Sequence, residues 1–393
     1  MPTRTSRRTF IASGAGLVVG ALGVRAGMTG TLFPTSGKAY RAWSDAGAHS
    51  PGSAESLVAH AILAASPHNT QPWRFLRAGS GLGLTADLSR NLGTFDPYLR
   101  EMHIGIGAAV ENLVIAASAE QRIVRVRFEP RDLSAIKDRM GQGPLIALDI
   151  SEGDTVANPL ATQIPKRHTN RGPYRLDAEA RHLLADALRE TSIDQSQCRV
   201  VMIEDETRAR QFDDLVIEST ARIISDTQMV KDSDRWFRRP GDIGKHGDGL
   251  TLDASGLSPA MAAVAKMMPP LSAQATHEFW LRSTRAALAT TPVRGFLFVP
   301  SLYDLGSCLA AGRVWQRFHL AATARGLALQ PVNQPIEIVD RELMLGKEAA
   351  MARRLSALAD ASGWRPTFAF RAGFPAREAL PSPRRPIKDV LEG

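Results

Sequence analysis

The sequence of 393 residues predicts an α+β protein, and three observations carry that expectation. Apolar residues at helical spacing alternate with short β-branched runs that alternate in and out. The order of these elements starts afresh after a Pro/Asn-rich stretch around Asn158 and Pro159, so two degenerate halves are expected. Finally, 44% hydrophobic residues are enough to bury a core, yet no unbroken apolar stretch reaches the roughly 20 residues of a membrane-spanning helix. The same composition excludes a disordered chain or a collagen-like repeat. Cys198 and Cys308 are too few for a disulfide framework and too far apart in sequence for a zinc site. The formal charge of +8 falls to +4 without residues 1–30, which hold Arg4, Arg7, Arg8 and Arg25 and no acid. That modest excess, with no basic stripe interleaved with aromatics, excludes nucleic acid as a partner.

Taken in order, the chain opens on Ser6-Arg7-Arg8-Thr9-Phe10-Ile11 and an apolar run from Phe10 to Val24. A basic segment before a short apolar one is the pattern of an export signal, and the arginine pair before Phe-Ile resembles the twin-arginine type, which exports folded proteins. Val24-Arg25-Ala26 is a poor cleavage site, so residues 1–30 are expected to direct export to the bacterial periplasm or the outer face of the cytoplasmic membrane, cleaved or retained as an anchor. Beyond such an uncleaved signal no membrane span is expected.

Residues 31–53 read as a linker. A helix fits residues 55–65, with Leu57, Val58, Ala61, Ile62 and Ala65 on one face, and Ser66-Pro67 stops it. Pro72 to Leu76 is extended, the glycines at 79, 81 and 83 sit in a hairpin, a long helix fits 103–121, and strands fit 123–128 and 145–150. These elements form a first half, 31–160. The second half, 161–393, offers helices at 177–190, 205–224 and 309–325 and strands at 199–203, 295–300 and 367–372. Residues 229–276 break its rhythm with Gly241, Gly244, Gly247, Gly249, Pro259, Pro269 and Pro270 and read as an insertion. The two long helices resemble one another when Glu101 is set against Leu305, each with small residues where another helix would cross closely.

The chemistry concentrates at Ser66-Pro67-His68-Asn69-Thr70-Gln71-Pro72-Trp73, a loop offering a hydroxyl, an imidazole and two amides. Such neutral donors and acceptors suit a planar heteroaromatic ligand with carbonyl and ring-nitrogen edges. Basic residues gather at Lys166-Arg167-His168-Thr169-Asn170-Arg171 and again at Arg384-Arg385. Guanidinium forks with a hydroxyl suit a phosphate, although each basic cluster taken alone also reads as a solvated surface. Ser134-Ala-Ile-Lys137 matches a Ser-x-x-Lys motif but lacks the companions of a penicillin-interacting enzyme.

The loop resembles the Ser-x-x-Asn-x-Gln-Pro-Trp segment of the flavin-binding nitroreductase superfamily, and His68 before Asn69 resembles its Acg-type branch. Arg167, Thr169 and Arg171 resemble the stretch that binds the FMN phosphate, and Phe370-Arg-Ala-Gly-Phe-Pro375 with Arg384 and Arg385 resembles the family's C-terminal strand and tail. Gly326-Leu-Ala-Leu-Gln-Pro331-Val-Asn333-Gln334 resembles the segment whose backbone N–H donates to flavin N5, with the amide of Gln334 as donor and Asn333 where the family often has Glu. The resemblance implies a nitroreductase-like fold in which tandem halves make a single-chain pseudo-dimer, with 229–276 as a lid. It implies one FMN held by Ser66, His68, Asn69, Gln71, Arg167, Thr169, Arg171, Asn333, Gln334, Arg384 and Arg385. It further implies electron transfer from NADH, NADPH or a protein or quinol donor to a small acceptor such as a nitroaromatic or quinone. Chemistry would belong to the flavin, with His68 only a neighbour. The alternative is a flavin store, sequestering protein or sensor with little turnover.

Overall fold

The computed structural model describes residues 34–129, 131–139, 143–190, 196–359 and 363–393, and the expected export signal at 1–30 lies outside them. Two long helices form the centre. Arg100–Ala119 and Leu305–Ala324 are each 20 residues long and buried along most of their length. By length and composition the first could cross a membrane, but here it is a core helix.

Their crossing is set by two glycines. A Cβ on Gly107 would overlap the backbone of Leu309, and one on Gly312 would overlap the carbonyl of Ile104, so the helices touch backbone to backbone. Both contacts obey the same offset of 205 residues (107 to 312, 104 to 309), which makes the crossing self-complementary, as in an isologous interface. The offset pairs Arg100 with Leu305, one residue earlier than the sequence alignment of Glu101 with Leu305. The glycine contacts fix that register, which two Ala-rich sequences leave loose.

A five-stranded sheet accompanies the first helix in the order Leu391–Glu392, Trp73–Ala78, Gly81–Ala86, Ile146–Glu152 and Arg122–Phe128. Arg122–Phe128 alternates between half-buried positions, Val124, Val126 and Phe128 among them, and exposed ones, as a strand with one wet face does. The second sheet runs Tyr174–Arg175, Arg365–Pro375, Val293–Val299 and Arg199–Met202, with Ala328–Pro331 also on Arg365–Pro375. Val293–Val299 and Arg365–Pro375 are buried almost throughout, the charged Arg371 included, which matches their mostly apolar sequences. Helices Gln334–Met344 and Ala350–Ala359 and strands Gly81–Ala86 and Ala328–Pro331 exceed the sequence expectations.

Segment 229–276 begins inside helix Thr227–Asp234 and ends inside helix Ala273–Ala289. Between them lie the short helix Ile243–His246 and helix Pro259–Met267, the latter capped by Ser258, whose side chain accepts from Met261 N. The end of the described chain returns to its beginning as a strap. Arg384 N donates to Ala39 O at 2.7 Å, Trp43 Nε1 to Ser382 O at 2.8 Å, and Leu391–Glu392 runs parallel to Trp73–Ala78.

Gly312→Val places a branched side chain against backbone that cannot move aside. It is expected to cost at least about 3 kcal/mol and to lower the melting temperature by several degrees, whereas Gly241→Ala, with open space at its Cβ and no positive φ, leaves it within about a degree. Thermal melts followed by circular dichroism check both.

Candidate functional site

The loop that follows helix Ala54–Ala61 is strained. His68, Asn69 and Gln71 have φ values of 45°, 56° and 51°, a left-handed conformation that costs non-glycine residues of order 1 kcal/mol each. The surroundings hold it there. Ser66 Oγ accepts from Gln71 N at 3.0 Å, and Asn69 N and Thr70 N close turns onto Ser66 O and Pro67 O. Pro67 and Ser66 lie on the first central helix where Gly105 leaves room for them.

Two arginines converge behind this loop. Arg384 Nη1 donates to Asn69 Oδ1 at 2.7 Å and to Pro383 O at 2.9 Å, and its Nη2 donates to Leu63 O and Ala64 O at 3.3 and 3.2 Å. Arg167 Nη2 donates to the same Leu63 carbonyl at 3.0 Å. Both guanidiniums thus cap the carbonyl end of helix Ala54–Ala61, where its dipole is negative. Both are buried, and no carboxylate is bonded to either among the described residues. Arg167 Nε and Nη1 and Arg384 Nε are buried without a hydrogen-bond partner. Burial pulls Arg167 down to about 10, and burial with Arg167 as neighbour pulls Arg384 well below its usual value. His168 is pushed down to about 3 by burial and by these two arginines, and His319 falls through burial and the nearby Arg167 and His168. Arg384 also lies 4.5 Å from the Trp43 ring. The pocket is positively polarised and short of acceptors, which suits an anion.

The 229–276 segment covers the loop. Gln71 Nε2 donates to Gly247 O at 2.9 Å, Asn69 Nδ2 to Gly249 O at 3.1 Å, and Gly249 N returns a bond to Asn69 O. His68 Nε2 lies 3.1 Å from Ser233 Oγ, and its ring meets that of Phe95 edge-on. Burial, with Arg171 nearby, pushes His68 down to about 4, so it is neutral at physiological pH. Arg171 donates to Ala254 O at 3.1 Å and is held near 10 by burial. Thr169 and Arg171 line a cleft of roughly 130 Å³ with Asp253, Gly256, Lys266 and Arg377. Arg385 N donates to Gln71 Oε1 at 2.8 Å, and its side chain to Gln71 O.

Ser66, Asn69, Gln71, Arg167, Arg384 and Arg385 are therefore brought together, with His68, Thr169 and Arg171 under the covering segment. Asn333 and Gln334 make none of these contacts. Asn333 Nδ2 donates to Glu101 Oε1 at 3.0 Å, and its Oδ1 accepts from Ala369 N. Gln334 is the first residue of helix Gln334–Met344, where an N–H has no intrahelical acceptor, and its Oε1 is buried without a partner.

Asn333 adjoins a group that sequence reasoning missed. Asp96, Glu101, Glu337 and Asp340 are all buried around the cation Arg100, which donates to Asp340 Oδ2 at 2.8 and 3.0 Å. Asp96 accepts from Glu101 N and Met102 N and so caps the first central helix. Burial raises Asp96, Glu101 and Glu337, and the neighbouring carboxylates add to it, while Arg100 opposes. A signal was present in the Glu337–Asp340 spacing, which puts both acids on one helix face three residues after Gln334. It had no partner in sequence, because Arg100 lies 240 residues away.

Comparison with known proteins places these features in context. No family model matches the chain. Two Mycobacterium tuberculosis sequences whose names assign them to the NAD(P)H nitroreductases are each 25% identical over 341 residues, covering 84% of this chain and 89% of theirs. Among solved structures, the FMN- and NADPH-dependent nitroreductase NfnB of a Sphingopyxis strain is 16% identical, with a TM-score of 0.40 over 60% of this chain and 99% of its own. The FMN-dependent NfnB of Mycobacterium smegmatis, solved with NADPH, is 14% identical, with a TM-score of 0.37 over 58% of this chain and 94% of its own.

Glu337 carries a testable sign. Its raised pKa means that the folded chain holds a proton the unfolded chain has already released, so folding stability falls as pH rises from the ordinary carboxyl range through the raised value. Glu337→Gln removes that dependence. The variant is expected to melt with the wild type near pH 4 and about 2–5 °C above it near pH 8, read by differential scanning calorimetry.

Proposed function

We propose that the chain is an FMN-dependent oxidoreductase of the nitroreductase superfamily, of its Acg-type branch, built as a fused pair of half-units (31–160 and 161–393) around one flavin. The observation that carries this reading is the pair of buried arginines, Arg167 and Arg384, with unpartnered N–H groups and no bonded carboxylate beside a strained amide loop. That donor set fits the phosphate of FMN. Arg167 and Arg384 would hold it, with Thr169, Arg171 and Arg385 at the margin. Ser66, Asn69 and Gln71 would present their edges to the ring once the carbonyls of Gly247 and Gly249 give up the amides. Gln334 would offer its backbone N–H from the start of its helix.

When bound, FMN supplies two-electron chemistry at N5, and the protein's part is orientation and electrostatics. His68, held neutral, acts as a hydrogen-bonding neighbour rather than a cationic acid. The 25% identity to sequences named as NAD(P)H nitroreductases supports NADH or NADPH as reductant. A protein or quinol donor fits a chain exported by the twin-arginine route, and a nitroaromatic or quinone fits as acceptor. A second reading, flavin storage with little turnover, is favoured by the covering segment, whose backbone takes both loop amides.

The visible spectrum of the purified chain, followed by acid release of flavin, tests the proposal. About one FMN per chain is expected, and Arg167→Ala should weaken its retention about 10- to 100-fold, the worth of one charge-assisted contact. A colourless chain that takes up no added FMN refutes both readings. Bound FMN that neither nicotinamide nor a chemical electron carrier reduces leaves storage as the function.

A further inference from the structure

Helix Pro259–Met267 is amphipathic the wrong way round for a surface helix. Its inner face buries Ala262 and the charged Lys266, whose Nζ pairs with Asp253 at 2.6 Å. Its outer face carries Met261 (55% exposed) and Val264 (62%), and the chain beyond it adds Met268 (59%) and Leu271 (61%). Positions 261, 264 and 268 follow helical spacing, so these side chains form one stripe rather than scattered exposure.

The place of the stripe in the chain indicates what covers it. Pro34, the first described residue, lines the same cleft as Pro259, Ala262 and Ala263, on the inner side of this helix. The described chain therefore begins beside this helix. In the sequence the apolar run ending at Val24 lies ten residues before Pro34, a tether of at most about 35 Å. Exposed basic residues gather at the same corner. Lys38 and Arg41 flank the first turn of the described chain, and Lys245 lies on the short helix Ile243–His246 that packs against that turn.

We propose that the outer face of Pro259–Met267, continued to Leu271, rests on an anionic bilayer surface beside the point where the described chain begins. An apolar stripe set into the headgroup boundary beside basic side chains is the chemistry of an interfacial helix, and a chain anchored nearby pays little entropy to place it there. The inference rests on the membrane-directed reading of residues 1–30 and is independent of flavin binding.

The test uses the full chain carrying Val264→Cys, labelled with an environment-sensitive fluorophore. Val156→Cys is the reference, since Val156 is 95% exposed in the stretch that bonds to Ser118 at the far end of the first central helix. Cys198 and Cys308 are buried, so labelling is directed to the new thiol. With phosphatidylcholine–phosphatidylglycerol vesicles containing a lipid-borne quencher, the probe at 264 is expected to be quenched at least about twofold and the probe at 156 to be unchanged. Failure of the chain to float with the vesicles overturns the proposal. So does a floating chain whose 264 probe is unquenched, or quenched no more than the 156 probe. A lipid-free change at 264 that grows with protein concentration also overturns it and assigns the stripe to contact between copies of the chain.

Discussion

Everything in this fold is referred to the contact of Gly107 and Gly312. Because the two central helices meet backbone to backbone, residues on one helix reach elements that belong to the other. Gln316 on the second helix donates to Asn112 Oδ1 on the first at 2.7 Å and accepts from Ala65 N, while Asn112 Nδ2 donates to His60 O. One amide chain thus ties the helix before the strained loop to both members of the crossing. Glu111, buried at the same level, takes Arg313 and Arg317 from the second helix. A wider separation would leave these polar groups buried and unpaired, at a cost of about 1–3 kcal/mol each.

The core also holds two charge clusters of opposite sign. In one, Arg167 and Arg384 lie in a pocket with neutral imidazoles and, among the described residues, no bonded acid; in the other, four buried carboxyl groups surround Arg100. Each pocket resolves its excess by a different route. The guanidiniums lie against main-chain carbonyls and a tryptophan face, whereas burial pushes Asp96, Glu101 and Glu337 toward their protonated forms. The first solution leaves buried donors with nothing to bond, and the second keeps acidic groups beside one another by suppressing their charge.

Much of this was legible in the sequence. The long helices, most strands and the small residues at the crossing follow from periodicity and composition, because burial imposes them one element at a time. The loop at 66–73 was visible as a cluster of polar side chains between a helix stop and a strand. Its strain was not, since the local bond from Gln71 N to Ser66 Oγ is only part of what holds Gln71 in a left-handed conformation; Arg385 and the Gly247 carbonyl, far along the chain, supply the rest. The acidic cluster stayed hidden for the same reason, with Glu101 reading as one more polar position on a helix. Helix Pro259–Met267 was obscured by the glycines and prolines around it, which mark where it starts and stops rather than its absence.

The strap has a bearing on the order in which the molecule comes into being. The partner that fixes Asn69 is Arg384, 315 residues later, and the parallel neighbour of Trp73–Ala78 is supplied by Leu391–Glu392. The first sheet and its loop emerge from the ribosome long before either, with one sheet edge bare and the loop free to relax from its left-handed turn. Closure of the pocket around Arg167 and Arg384 therefore waits for the strap to be synthesised. A nascent or prematurely terminated chain has the elements of the first half but no closed pocket, so the finished pocket reports that synthesis has run through the strap.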